Sequence, residues 1–152
     1  MVSMLSPAER ELVITRVLNA PRELVFKAWT DPKLAIRWWG PRHHPATHMQ
    51  MDPRPGGVWR HRLTSPETGD LWHHGVFREV VRPERLVFTF VWEEPNPDDV
   101  ETQVGLSLRD LGESTEVEFT QGVFKTEERR ALHHDGWSDS FDKLERLISA
   151  QA

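Results

Sequence analysis

The sequence has 152 residues, of which 38% are hydrophobic, and a formal net charge of −5 at pH 7. This length and composition suit one domain over residues 1–152, with its core within residues 11–148. The lack of cysteine excludes disulfides and thiolate metal sites. The early charges and the absence of a long apolar run favour a cytoplasmic protein without membrane insertion. The Lys and Arg residues are scattered, which argues against nucleic acid as a partner.

A strand followed by two short helices is predicted for the first quarter of the chain. Residues 11–19 are rich in β-branched and aliphatic side chains, which is typical of a strand. Pro21 occupies the first position of the helix that follows. Asp31 then has the chemistry of an N-cap, with Pro32 as the first residue of a second helix. The Gly-Pro pair that begins at Gly40 ends this second helix.

Two adjacent tryptophans, Trp38 and Trp39, lie where the second helix closes. Consecutive helical residues point about 100° apart, so the two indoles cannot face the same neighbour. We expect one indole to pack in the core beneath the sheet and the other to lie towards a cavity or its rim.

Residues 47–121 have the alternation of antiparallel strands separated by turns. Val117 and Phe119, for example, alternate with glutamates. Such a pattern predicts an antiparallel sheet with one face in water. Between two of these strands lies an acidic segment, residues 93–101, which we interpret as a solvated hairpin loop.

A single long helix is predicted for residues 126–150. Trp137 and Phe141 are four residues apart and so lie on one apolar side of this helix. Gly136 lies in its interior, where glycine costs about 1 kcal/mol relative to alanine, so we expect its backbone to press on the sheet or on the first short helix. The predicted fold class is α+β, with a curved antiparallel sheet of about six to seven strands against this helix.

Several motifs in series resemble those of a known family. They are ITRVLNAPRELVFKAWTDP, RWWGP, DPRPGGVWR, GVFREVVRPERLVFTF and HHDGW ahead of LERL, and together they span residues 11–148. The series is similar to the bacterial relatives of the C-terminal domain of the activator of heat-shock protein 90 ATPase. That family belongs to the START-like, birch-pollen-allergen-like (SRPBCC) superfamily. The resemblance implies a helix-grip fold, in which the sheet wraps the long C-terminal helix and the two short helices close one end.

The resemblance also implies a cavity for lipids, sterols, polyketides or flavonoid-like molecules. We therefore expect a small apolar or aromatic ligand between sheet and helix, held for sensing, sequestration or transport and without a cofactor. Ordinary core packing would give the same aromatic spacing, so that alternative stays open. The candidate ligand-binding residues have inward-facing positions on the strands or helices: Trp39, Trp59, His61, His73, Phe77, Phe88, Phe90, Trp92, Phe119, His133, Trp137 and Phe141.

Three histidines, His61, His73 and His133, are the polar members of this set. A neutral imidazole can orient a ligand hydroxyl or carbonyl group, although each histidine could equally satisfy a buried neighbour. We expect no metal site, because neighbouring histidines diverge on a strand or a helix. The sequence also has no H-E-x-x-H motif.

Binding is favoured over catalysis, because the sequence has neither a glycine-rich phosphate loop nor a G-x-S-x-G motif. A cyclase or hydrolase acting on a polyketide-like substrate in the same cavity stays open. Arg16 and Glu79 lie on strands of the sheet and could serve as its acid or base, but Glu79 could equally pair with Arg82 or Arg85 on the surface, so we assign no catalytic residue. A homodimer also stays open. A co-chaperone-like protein interaction is a third alternative, with the acidic segment 93–101 as its candidate docking surface. The co-chaperone activity in the family name belongs to a eukaryotic protein with an additional N-terminal domain, so a chaperone partner is not our main expectation.

Overall fold

Seven antiparallel strands form one curved sheet in the computed structural model, which describes residues 8–151. The strands are β1 (Leu12–Leu18), β2 (Ala46–Met51), β3 (Val58–Ser65), β4 (Gly69–Val81), β5 (Arg85–Trp92), β6 (Thr102–Asp110) and β7 (Thr115–Gly122). The helices are α1 (Arg22–Thr30), α2 (Pro32–Ala35) and α3 (Glu127–Gln151), and a short 3₁₀ helix at Ala8–Arg10 precedes β1. The expected α+β helix-grip architecture is confirmed.

The strand order is β1-β7-β6-β5-β4-β3-β2, so β1 and β2 form the two edges of the sheet. The segment with α1 and α2 connects these edges. In the register of β1 with β7, Ile14 lies opposite Phe119, and in that of β3 with β4, His61 lies opposite His73. Both pairs point to the inner face, where all four side chains are buried.

The inner face of the sheet packs against α3. Phe119 of β7 contacts both Trp137 and Phe141 of the helix, with ring centroids 4.6 and 5.5 Å apart. Gly136 lies against Pro41, in the loop after α2, rather than against the sheet or α1 as expected. Among residues 8–151, no helix is long and apolar enough to cross a membrane.

Proline and aspartate residues mark the starts of the two short helices. Asp31 caps α2, because its carboxylate accepts a hydrogen bond from the Lys33 N–H at 2.9 Å, and Pro32 is the first residue of that helix. Pro21 lies one position earlier than expected, at the N-cap of α1 rather than inside it. Pro21 provides no side-chain cap, but its carbonyl accepts the backbone N–H groups of Leu24 and Val25 at 3.0 and 3.2 Å.

The acidic loop between β5 and β6 is exposed over most of its length, as expected, but one of its carboxylates is not. Asp99 is largely buried and its carboxylate meets the guanidinium group of Arg129, in the first turns of α3, at 2.6 Å. Lys125 also donates to the carbonyl of Pro97 at 3.2 Å. Burial of the Asp99 carboxylate requires this cationic partner, which lies thirty residues further along the chain. The loop is therefore tied to the start of α3.

Candidate functional site: a cavity between the sheet and the last helix

A cavity of about 370 Å³ lies between the inner face of the sheet and the first half of α3. We call its more deeply buried side the inner wall. The inner wall consists of Trp39, Gly40, Leu63, His73, Phe90, Trp92, His133, Trp137 and Ser140. The more exposed side is the mouth, which consists of Pro41, His44, Leu132, Asp135, Gly136 and Asp139. The volume falls within the range of small-molecule sites, about 300–1,000 Å³.

The end of α2 directs the two adjacent tryptophans to different neighbours, as expected. Trp38 is fully buried and donates its indole N–H to the carbonyl of Ala28 at 3.0 Å. Trp39 instead lines the cavity. Gly40 then reverses the chain with a φ of +102°, and a side chain there would collide with the carbonyl of His44. A glycine is therefore required for the loop that forms one side of the mouth.

Trp39 and His73 are joined across the inner wall. The indole N–H donates to Nε2 of the imidazole at 3.0 Å, so the proton of the neutral ring is on Nδ1. Burial holds the pKa of His73 well below its usual value, and the neighbouring His61 lowers it further. The carbonyl of Leu71 opposes this pKa shift, although Nδ1 makes no hydrogen bond of regular geometry with it.

Gln121 is the hub of a second polar network in the wall. Its carbonyl oxygen accepts hydrogen bonds from the indole N–H of Trp137 at 2.7 Å and from Nδ1 of His133 at 3.2 Å. Its amide group donates to the hydroxyl of Thr102 at 2.9 Å. Nε2 of His133 accepts the indole N–H of Trp92 at 3.2 Å. Both ring nitrogens of His133 are thus occupied by protein groups.

Burial also keeps the other two inward histidines neutral. It lowers the pKa of His133 to about 4, with a smaller contribution from the nearby charge of Arg129. It lowers the pKa of His61 to about 3. His61 packs between the rings of Trp39 and Trp59, at 4.9 and 4.7 Å, rather than in the cavity. At neutral pH none of the three histidines therefore brings a positive charge to the site.

Six of the twelve predicted site residues line the cavity: Trp39, His73, Phe90, Trp92, His133 and Trp137. The other six lie behind this wall and do not line it: Trp59, His61, Phe77, Phe88, Phe119 and Phe141. Several of these support lining residues, as Phe119 supports Trp137. The reason is that the cavity occupies only part of the space between sheet and helix, and side chains fill the remainder.

Residues that the sequence-based prediction missed include the hub Gln121 and three side chains of α3. Gln121 has the same strand parity as Val117 and Phe119, so its inward position was available from the pattern. Asp135 and Asp139 lie one helical turn apart, and Ser140 is three residues from Trp137. Helical spacing around Trp137 was therefore a usable signal for the mouth.

The two candidate acid–base residues lie outside the cavity. Arg16 binds the carboxylates of Asp142 and Glu145 on α3, at 2.7 and 3.3 Å. Glu79 is exposed and pairs with Arg85 at 3.2 Å, one of the two surface partners expected for it. Within residues 8–151, the structure brings together no group of three or more His, Asp or Glu side chains suited to a metal ion.

Comparison with known families decides where this fold belongs. The model of the family described as "Activator of Hsp90 ATPase homolog 1-like protein" matches residues 19–149. The chain belongs to this family. The fold is that of the START-like, SRPBCC superfamily, in agreement with the motifs. A search of curated proteins gives no significant match to this chain.

Solved structures of bacterial proteins share the whole architecture. Protein NE0264 from Nitrosomonas europaea is 26% identical, with a TM-score of 0.80, and the match covers 95% of this chain and 97% of that one. Protein CV1439 from Chromobacterium violaceum is 22% identical with a TM-score of 0.84, covering 91% and 96%. The AHSA1 protein from Silicibacter pomeroyi is 22% identical with a TM-score of 0.80, covering 93% and 99%. At these identities the likeness describes the fold.

Proposed function

We propose that this protein binds a small apolar or aromatic molecule in the cavity between the sheet and α3. The observation that carries the proposal is a space of about 370 Å³ walled by Trp39, Phe90, Trp92 and Trp137. A well-packed core of this size would not leave such a volume beside four large aromatic side chains. Hydrophobic ligands are also common in this superfamily, which supports the same conclusion.

The polar groups of the wall favour binding over acid–base chemistry. Nε2 of His73 and Nε2 of His133 each accept an indole N–H, and Nδ1 of His133 is bonded to Gln121. A general base needs a nitrogen that can reach the substrate proton. In both histidines the acceptor nitrogen is already occupied, so these networks fix the shape of the wall. Sensing, sequestration or transport would each use a pocket with such a rigid, uncharged inner wall.

The first experiment is a titration with N-phenylnaphthylamine, a neutral apolar fluorophore that accepts energy from tryptophan. Three tryptophans line the cavity, so binding should raise the emission of the fluorophore and quench that of the protein. Ser140→Leu should weaken binding, because Ser140 is buried in the wall and a larger side chain there occupies the cavity. We expect the affinity for the fluorophore to fall about tenfold. The added side chain removes apolar contact area from the ligand, on the scale of one buried side chain.

A matched pair of variants separates the cavity from general stability. Phe90 and Phe88 lie two residues apart on β5 and are equally buried, but only Phe90 lines the cavity. Phe90→Leu should change the affinity for the fluorophore, whereas Phe88→Leu should lower the free energy of unfolding without changing the affinity. No binding by the folded wild-type protein, or equal affinities in both variants, would contradict the proposal.

A further inference from the structure

We propose that the cavity selects organic cations, with an amine or quaternary ammonium group at the mouth and an apolar or aromatic body against the inner wall. The inference rests on the proposed function and adds to it the charge of the ligand. It follows from the charges that line the cavity, from the hydrogen-bond donors that the wall has already used, and from the aromatic surface that remains.

The charged side chains at the cavity are both acidic. Asp135 and Asp139 line the mouth, and none of the described lining residues is Lys or Arg. The two aspartates are one turn apart on α3, where like charges disfavour a helix. A cationic group between them would relieve this repulsion, and an anionic group would increase it.

The counter-charge already present at the mouth is modest. Asp139 accepts the backbone N–H of Arg42 at 3.2 Å, and the guanidinium group of that residue lies 4.0 Å away with a largely exposed side chain. Asp135 is more exposed, and the ring of His134 lies 3.6 Å from its carboxylate. Arg130 and Lys143 also interact electrostatically with Asp135 and Asp139, respectively, but neither cation lines the cavity. Exposed pairs contribute little, so the two carboxylates are the charges that a ligand in the mouth meets directly.

An anionic ligand would find few donors inside. The indole N–H groups of Trp39, Trp92 and Trp137 are bonded to His73, His133 and Gln121. The hydroxyl of Ser140 donates to the backbone carbonyl of Gly136 at 3.0 Å. Among these lining groups, only the Nδ1–H of His73 is left without a regular hydrogen bond. A carboxylate that entered the inner wall would therefore lose its hydration for at most one new hydrogen bond, which is costly.

The surface left for a ligand is aromatic. Once the N–H groups of the three indoles are bonded, the ring carbons of these indoles and of Phe90 make up much of the inner wall. Tryptophan attracts a cation more strongly than the other aromatic side chains do. Burial lowers the pKa of His73 and of His133, so these rings stay neutral at pH 7 and do not repel a cation.

The test uses three ligands with one skeleton and different charges: phenylbutylamine, phenylbutanol and phenylbutyrate. Their affinities for the full chain are measured at pH 7.5 by calorimetry, at low and at high salt. We expect the amine to bind at least about tenfold more tightly than the butyrate, with the alcohol between them. High salt should reduce the advantage of the amine, because the mouth is open to screening ions.

Charge-neutralising variants then locate the effect. Asp135→Asn combined with Asp139→Asn should weaken binding of the amine by about threefold to tenfold and leave the alcohol unchanged. Glu113→Gln, the same change in the exposed turn between β6 and β7, is the matched control and should alter neither affinity. Because all the substituted side chains lie at the surface or the mouth, the variants should fold as the wild type does.

The outcomes separate this inference from the proposed function. If the alcohol binds but the butyrate binds as well as the amine, or if the asparagine variants keep the full affinity for the amine, the cavity is a binding site without charge selection. That result overturns the present inference alone. If none of the three ligands binds the folded protein, both proposals fail.

Discussion

Gly136 of α3 lies directly against the ring of Pro41, so that a Cβ atom at position 136 would come within 3.2 Å of the Pro41 Cγ atom. This contact joins the last helix to the loop after α2 at the mouth of the cavity. It explains a glycine in the interior of a long helix, where alanine would otherwise be favoured by about 1 kcal/mol.

Gly136→Ala should therefore bring no gain in the free energy of unfolding, or a small loss, because the added methyl group crowds Pro41. In a Pro41→Ala background the same substitution should recover most of the propensity gain of about 1 kcal/mol. Urea denaturation of the four proteins gives the coupling free energy directly. Equal gains in both backgrounds would mean that the contact does not restrain the helix.

Trp39→Phe should destabilise the fold through the hydrogen bond that it removes. Nε2 of His73 would keep its buried position without a donor, which costs about 1–3 kcal/mol. Trp72→Phe is the control, since that indole is half-buried on the outer face beneath the guanidinium group of Arg60, at 3.9 Å. We expect the control to change the free energy of unfolding by less than about 1 kcal/mol. A comparable loss in both variants would contradict a specific role for the Trp39 donor.

Stability should fall in mild acid because of the three inward histidines. Burial lowers the pKa of His61 to about 3 and that of His133 to about 4, from an ordinary value of about 6.5 for a solvated histidine, and it also lowers the pKa of His73. Between these values the unfolded chain binds more protons than the folded one. The stabilisation is therefore complete above about pH 6.5 and declines as the pH falls towards 4, by about 1.4 kcal/mol per pH unit for each histidine.

Urea denaturation at a series of pH values measures this slope. His133→Gln should remove one histidine's share of it, because glutamine can still accept from Trp92 and donate to Gln121 without titrating. A free energy of unfolding that does not vary between pH 7 and pH 5 would show that the buried rings do not control acid stability.

Substitution of two neighbouring arginines of α3 should lower the free energy of unfolding by very different amounts. Arg129→Met leaves the largely buried carboxylate of Asp99 without its partner, which should cost about 3 kcal/mol. Arg130→Met removes an i,i+3 pair with the exposed Glu127, at 2.7 Å, and should cost less than about 1 kcal/mol. Thermal or chemical denaturation distinguishes the two. Equal changes in the free energy of unfolding for both variants would contradict a specific stabilising role for the Asp99–Arg129 ion pair.

Much of this fold follows from periodicity alone. Strand alternation and helical spacing predicted the inward side of β7 and the apolar side of α3, and the Asp31-Pro32 pair predicted the start of α2. These signals are local, because they depend on residues within one element. Contacts between distant elements leave no such signal. The burial of Asp99 in an otherwise exposed loop could not be predicted, because its partner Arg129 belongs to α3.

The cavity itself is the clearest example of this limit. Phe88 and Phe90 share one strand, one parity and nearly the same burial, yet only Phe90 borders empty space. Parity states that a side chain points inward, whereas the fit of facing side chains decides whether it meets a neighbour or a void. That fit depends on α3 and the loop after α2 together. For this reason six of the twelve predicted site residues lie behind the wall.

The position of β1 at the edge beside β7 has a consequence for synthesis of the chain. Strands β2 to β6 each pair with the strand that follows, so they can pair as they leave the ribosome. Strand β1 pairs with β7, so Leu12 has no strand partner until Gln121 has been synthesised. The cavity needs Trp39 from the first third of the chain and His133 and Trp137 from the last part. A nascent chain that stops before α3 therefore lacks the cavity, which forms only after the last helix has been synthesised.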